Sequence, residues 1–284
     1  MRVRYSFSSR RTGKIESTNQ HRQPFPKIAK EVIRVSDIVL EILDARFIEK
    51  TRNLELETLV KASGKILIYV LNKADLVNTS ELKKQAESMN LYPYVVFSCK
   101  SHAGRKDLRD RIKIELKRFK INDSFKKAHV GVIGYPNTGK SSLINLLTGR
   151  GAAKRSAEAG FTKGVQKIRL NKDILILDTP GVIPEGENSA IIGKDLKKHA
   201  EISVRTYDKV KHPEFIVAEL MKENPGIFER YYKIDAKGDS EIFLDILGRR
   251  KHLLRKGNEV DLDRTARIVL KEWQLGKIKK QNSY

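Results

Sequence analysis

Apolar residues follow two rhythms along this chain. Between residues 35 and 180 they fall in short continuous runs, VSDIVLEILDA, KILIYVL, YPYVVF, AHVGVI and DILIL, with the more polar QKIRL as a sixth. Runs of this length separated by helical stretches are what strands buried on both faces of a parallel sheet look like. Asn171-Lys172-Asp173, between the last two runs, is a turn signal and predicts an antiparallel hairpin. The expected sheet is therefore α/β, six-stranded, mixed and mostly parallel, with helices on both faces. Beyond about residue 200 the strand signals stop. Phe215-Ile216-Leu220-Met221, Ile242-Phe243-Ile246-Leu247 and Leu262-Ala266-Val269-Leu270-Trp273 recur at helical spacing and predict a small all-α domain. Asn224-Pro225-Gly226 should break the first of these helices, and Asp261 suits the N-cap of the last. The expected division is a basic N-terminal extension over 1–27, an α/β domain over 28–200 and a helical domain over 201–284.

Charge changes this picture most. Lys and Arg number 57 against 35 acids, a net charge of +22, which points to a polyanionic partner. The excess is spread over the chain, and its densest stretch, 100–127, carries eleven Lys and Arg. Leu108, Ile112, Leu116 and Phe119 recur there at helical spacing, predicting a surface helix with one very basic face. The single cysteine, Cys99, rules out an internal disulfide or a cysteine-based zinc site and suits a reducing compartment. No apolar run approaches the ~18 residues that span a bilayer, so a cytoplasmic protein with no membrane partner is expected. The Arg- and Ser-rich first 27 residues also fit a mitochondrial transit peptide, although they lack an apolar helical face.

The candidate chemistry sits where the apolar runs end. Gly134-Tyr-Pro-Asn-Thr-Gly139-Lys140-Ser141 matches the P-loop pattern and lies between a strand and a helix, the context that motif requires. Backbone amides around Asn137, Thr138 and Gly139 would wrap phosphates, Lys140 would reach the outer ones, and Ser141, followed by Ser142, would offer a hydroxyl to Mg²⁺. Asp178-Thr179-Pro180-Gly181 ends a strand 38 residues after Lys140. Its aspartate would hold Mg²⁺ and the Gly181 amide would meet a γ-phosphate. Thr162, in the intervening polar loop, is the candidate switch threonine and third magnesium-facing group. Asn72-Lys73-Ala74-Asp75 follows the second run, where a carboxylate can accept both the ring N–H and the exocyclic amine of guanine; adenine offers no such pair. Ser98-Cys99-Lys100 follows the third and would close over the base. Each short motif is weak alone, but five at strand ends are hard to explain otherwise. Lys140, Thr162 and Gly181 are the candidate catalytic groups.

The order of these elements is unusual. In a Ras-like GTPase the phosphate loop comes first and the base-reading loops last; here NKAD and SCK precede the P-loop, so the domain is circularly permuted. This order resembles the circularly permuted ribosome-assembly GTPases of the YlqF/YawG, or RbgA-like, type. Asp44-Ala45-Arg46 with Arg52-Asn53 is similar to that family's DAR…RNP segment, residues 257–278 to its C-terminal signature, and Phe25-Pro26 with Ala29-Lys30 to its start. The family's histidine near that start is absent, with Lys27 and Ile28 in its place, so no role of that histidine carries over. The resemblance implies a monomeric GTPase that binds ribosomal RNA or a subunit precursor, the large subunit above all. Val182 stands where Ras-like sites place a water-orienting glutamine, which implies slow intrinsic turnover. Asn137 matches the residue that coordinates K⁺ in related GTPases. Two other readings remain: a GTP-sensing RNA-binding module with negligible hydrolysis, and an ATPase of nucleic-acid metabolism, which leaves Asn72 and Asp75 without a task.

Overall fold

The computed structural model describes residues 25–118, 127–149, 166–179, 207, 208, 210 and 212–278. All six expected strands form: β1 (Ile38–Asp44), β2 (Ile66–Asn72), β3 (Tyr94–Val96), β4 (Ala128–Ile133), β5 (Gln166–Arg169) and β6 (Ile174–Asp178). They make one sheet in the order β3-β2-β1-β4-β6-β5. Every neighbouring pair is parallel except β5 and β6, which form the antiparallel hairpin predicted from Asn171-Lys172-Asp173. There the Asn171 side chain accepts from the Asp173 and Ile174 amides at 2.8 Å. β1 lies between β2 and β4, so the chain winds outward from it in both directions. In open parallel sheets this switch point is where ligands bind, beyond the carboxyl ends of the strands.

Helices cover both faces. On one, Leu108 and Ile112 of α5 (Arg105–Arg118) and Leu143, Ile144 and Leu147 of α6 (Lys140–Thr148) pack against alternate residues of the central strands. On the other, the cover comes from Ala29 and Ile33 of α1 (Phe25–Val35), Leu56 and Val60 of α3 (Leu54–Ala62), and Leu82 and Ala86 of α4 (Thr79–Ser88). A one-turn helix, α2 (Ile48–Thr51), precedes α3. α1 already includes Lys27, which the sequence division assigned to the extension. Within α5 the basic face is as expected, although Glu115 is buried and takes Arg111 and Arg118 at 3.3 and 3.2 Å. Phe119 lies outside the described residues.

Past residue 207 the described chain is helical: α7 (Pro213–Glu223), α8 (Ile227–Tyr232), α9 (Ser240–Arg250) and α10 (Leu262–Gln274). Asn224-Pro225-Gly226 separates α7 from α8, and the Asp261 carboxylate caps α10 by accepting from the Arg264 amide at 3.1 Å. The expectation of no strand pairing needs one correction. Leu254 and Val260 form an antiparallel bridge, closed by a turn in which Gly257 and Asn258 take positive φ. The apolar cluster of this region, built on Phe228, Phe243 and Trp273, also buries Phe47 and Tyr135 from the sheet region. Phe47 meets Trp273 with ring centroids 6.2 Å apart.

Candidate functional site

Because β1, β2, β3, β4 and β6 run parallel, all the motifs at their carboxyl ends arrive at one edge of the sheet. The phosphate loop leaves β4 through Gly134, at φ 142°, where an added Cβ would stand 2.6 Å from the Ile42 carbonyl oxygen. Asn137 and Gly139 also take positive φ, 61° and 101°, and α6 starts at Lys140. A Cβ at Gly139 would overlap the Asn72 amide, so glycine there is what lets the phosphate loop lie against the base loop. Thr138 is buried and donates to the Tyr135 carbonyl at 2.9 Å. Lys140 is 6% exposed, and its ammonium donates to the same carbonyl at 2.5 Å. Burial pushes its pKa down to about 8, with Asp178 partly offsetting that. Ser141 and Ser142, one residue further, are exposed on the first turn of α6.

The base loop is held by side chains. Asn72 is buried at the end of β2, donates to the Thr138 carbonyl at 2.7 Å and accepts from the Cys99 amide at 3.2 Å. One amide thus joins the NKAD, SCK and phosphate loops. Ser98 donates to the Asp75 carboxylate at 2.6 Å and accepts from the Ser101 amide, fixing an otherwise exposed acid in place. Ala74 is buried under this turn, and its amide bonds the Phe97 carbonyl. Cys99 is half-buried, which pushes its thiol up to about 11 and keeps it neutral, while Lys100 faces solvent.

One cluster at this edge was not visible as chemistry in the sequence. Asp44 ends β1 opposite Asn72 and is fully buried. Its carboxylate takes two bonds from the Arg46 guanidinium, at 3.0 and 2.7 Å, and one from the Lys73 ammonium at 2.7 Å. Burial alone would raise its pKa, but Arg46 and Lys73 outweigh that and hold it at about 2. Arg46 also donates to the Trp273 carbonyl at 3.2 Å. The base loop, the end of β1 and α10 therefore share one buried ionic centre. The DAR resemblance marked Asp44 and Arg46, but only the parallel register brings Lys73 to them.

Asp178 fits a hard cation. Its Oδ1 is buried and accepts no hydrogen bond among the described residues, and burial raises its pKa even though Lys140 and the Thr179 amide oppose the shift. Such an oxygen is costly to leave without a partner. Mg²⁺ takes oxygen ligands of this kind together with phosphate oxygens, with Ser141 as the second candidate. Thr162, Gly181 and Val182 lie outside the described residues.

Residues 129–224 match a family described as 50S ribosome-binding GTPase. The chain is 41% identical over 260 residues to a GTP-binding protein of Methanocaldococcus jannaschii, covering 90% of this chain and 66% of that one. It is 32% identical over 288 residues to the GTPase grn1 of Schizosaccharomyces pombe, covering 90% and 61%. The chain thus spans a little under two thirds of these relatives' length. The crystal structure of GNP-bound YlqF from T. maritima superposes with a TM-score of 0.61 at 25% identity, covering 90% of this chain and 95% of that one. Fold and site together define a circularly permuted P-loop GTPase domain followed by a helical region. The chain belongs to the family of YlqF-like GTP-binding proteins.

Proposed function

We propose that the protein binds and slowly hydrolyses GTP on Mg²⁺ and acts as a switch in ribosome assembly, binding large-subunit RNA in its GTP state. The observation that carries this reading is the meeting of Asp75, braced by Ser98, with the Lys140 loop through the single amide of Asn72. A guanine-reading carboxylate and a phosphate cradle tied together suit a guanine nucleotide. In this reading Lys140, Thr162 and Gly181 act on the γ-phosphate and Ser141, Thr162 and Asp178 face Mg²⁺. Residues 28–200 form the GTPase domain, and 201–284 carry its state to the RNA. The matched family's description as ribosome-binding and the net charge of +22 support the partner. Among the described residues no helix is long and apolar enough to cross a membrane, and the proposed work is that of a cytoplasmic monomer.

The test is single-turnover GTP hydrolysis and co-sedimentation with isolated ribosomal subunits. Sedimentation should be stronger with a non-hydrolysable GTP analogue than with GDP, and should weaken by roughly a decade between low and physiological salt. Subunits should speed hydrolysis. If bulk tRNA competes fully and the nucleotide makes no difference, the ribosomal reading fails. If binding follows the nucleotide but no hydrolysis is seen with or without subunits, the protein is a GTP sensor instead.

A further inference from the structure

The β3 edge of the sheet carries a concave feature. Among the described residues β3 has a strand neighbour on one side only, and its other flank floors a groove of about 930 Å³ between α4 and α5. Tyr92 and Tyr94 line it, their ring centroids 5.7 Å apart, and Tyr92 is 59% exposed. Lys83 of α4 and Arg111 and Arg118 of α5 line it as well. Glu115 braces both arginines, and the Tyr94 hydroxyl donates to Glu87 at 3.4 Å. The acids in the groove, Asp75 and Asp107, belong to the end nearest the base loop. From Asp107 to Arg118 α5 advances about 16 Å, so Arg118 and the tyrosines share the far end, away from those acids.

Exposed rings next to cations meet the needs of one ligand chemistry. Single-stranded nucleic acid offers a π-face on every base and a phosphate on every step, and aromatic platforms beside a positive groove bind it. Duplex RNA keeps its bases stacked inside and cannot use the tyrosines. A peptide adding to the sheet edge would bond the β3 backbone and be indifferent to the Tyr92 ring. We propose that this groove binds a single-stranded RNA segment, its bases on Tyr92 and Tyr94 and its phosphates on Lys83, Arg111 and Arg118. The inference rests on the ribosomal reading above and adds where on the chain RNA lies and in which form. Asp75 and Ser98 line this groove as well as the base loop, so the strand would lie beside the bound nucleotide.

The experiment measures fluorescence anisotropy of a labelled short oligouridylate with the full chain carrying GDP. Tyr92→Ala should weaken binding about tenfold, the scale of one lost stack, while Tyr92→Phe retains it. Arg118→Ala should weaken binding and flatten its salt dependence. GDP affinity and binding of an RNA duplex should not change in Tyr92→Ala. Wild-type binding of the oligonucleotide by both Tyr92→Ala and Arg118→Ala overturns the proposal, as does full displacement of the oligonucleotide by an acidic peptide that binds Tyr92→Ala equally well. Sedimentation with subunits, run in parallel, separates the two readings. Subunit binding that survives an unchanged oligonucleotide result removes only the groove, whereas its absence in the wild type removes the ribosomal reading.

Discussion

The two ends of the proposed nucleotide site are built on opposite principles. At the base end, side chains satisfy one another: Asn72 bridges two loops, Ser98 holds Asp75, and Arg46 and Lys73 neutralise Asp44. At the phosphate end the backbone does the shaping, with Gly134, Asn137 and Gly139 at positive φ. Lys140 is buried with its pKa pulled down, and the Asp178 carboxylate keeps a buried oxygen without a partner among the described residues. The base end is thus held together by its own side chains. A Mg²⁺-nucleotide would bring phosphate to Lys140 and a cation to the Asp178 carboxylate, which is the pairing the proposed function calls for.

The largest expected effect falls at the phosphate end. Lys140→Ala should lower single-turnover hydrolysis by roughly 1000-fold, the scale of removing a preorganised charge from a developing anion. If Lys140→Ala leaves the rate within a few-fold, the two-ended account fails at its phosphate half. At the base end the largest effect should be on stability. Asp44→Asn leaves the Arg46 and Lys73 charges partly buried without their counter-ion and should cost about 3 kcal/mol in urea denaturation. That stabilisation should also fade as pH falls from 3.8 toward 2, because the folded pKa lies below the ordinary one. Unchanged stability in Asp44→Asn would show that the base end is not held from below as described.

A smaller effect concerns protons. Lys140 without ligand has a pKa of about 8 against an ordinary 10.5, and neighbouring phosphates favour its charged form. Nucleotide binding should then take up a proton above about pH 8, and affinity should fall by up to tenfold per pH unit through that range. Calorimetry in buffers of different ionisation enthalpy measures the uptake; none at pH 9 would contradict the buried-lysine picture. The smallest effect is ionic: hydrolysis should run a few-fold faster in potassium than in sodium at equal ionic strength, and Asn137→Ala should erase the difference. Equal rates in the two salts would leave Asn137 a turn residue only.

What the sequence made legible follows the same division. The six strands, the mixed and mostly parallel character of the sheet and the hairpin were readable, because apolar runs and one turn signal carry local information; the strand order β3-β2-β1-β4-β6-β5 came only from the fold. The P-loop was equally readable, since its glycines are demanded by local backbone geometry. The base end was readable only as a set of short motifs. Asn72 could be named, but its bridging role depends on where β2 ends relative to β4. Glu41 stands in the middle of an apolar run and reads as an interruption. In the fold it is buried and its pKa raised, first by burial and then by Glu57, and its carboxyl accepts the Asn53 amide at 2.8 Å. Tyr135, inside the P-loop string, and Phe47, just after Asp44-Ala45-Arg46, carry no local signal of burial, and only packing shows them inside the cluster around Trp273. The candidate residues after the P-loop helix, Thr162 and Gly181, belong to segments outside the described residues.

The most direct test of the account is nucleotide competition at the base end. A labelled guanine nucleotide bound to the full chain should be displaced by GTP and GDP and not by ATP. Asp75→Asn should weaken GTP by roughly 100-fold, the scale of losing a charge-assisted pair of hydrogen bonds. The same variant should gain affinity for xanthosine triphosphate, whose ring carries an oxygen in place of the amine. Equal displacement by ATP, or an Asp75→Asn variant that binds GTP as the wild type does, would contradict the claim that this edge of the sheet is a guanine-nucleotide site.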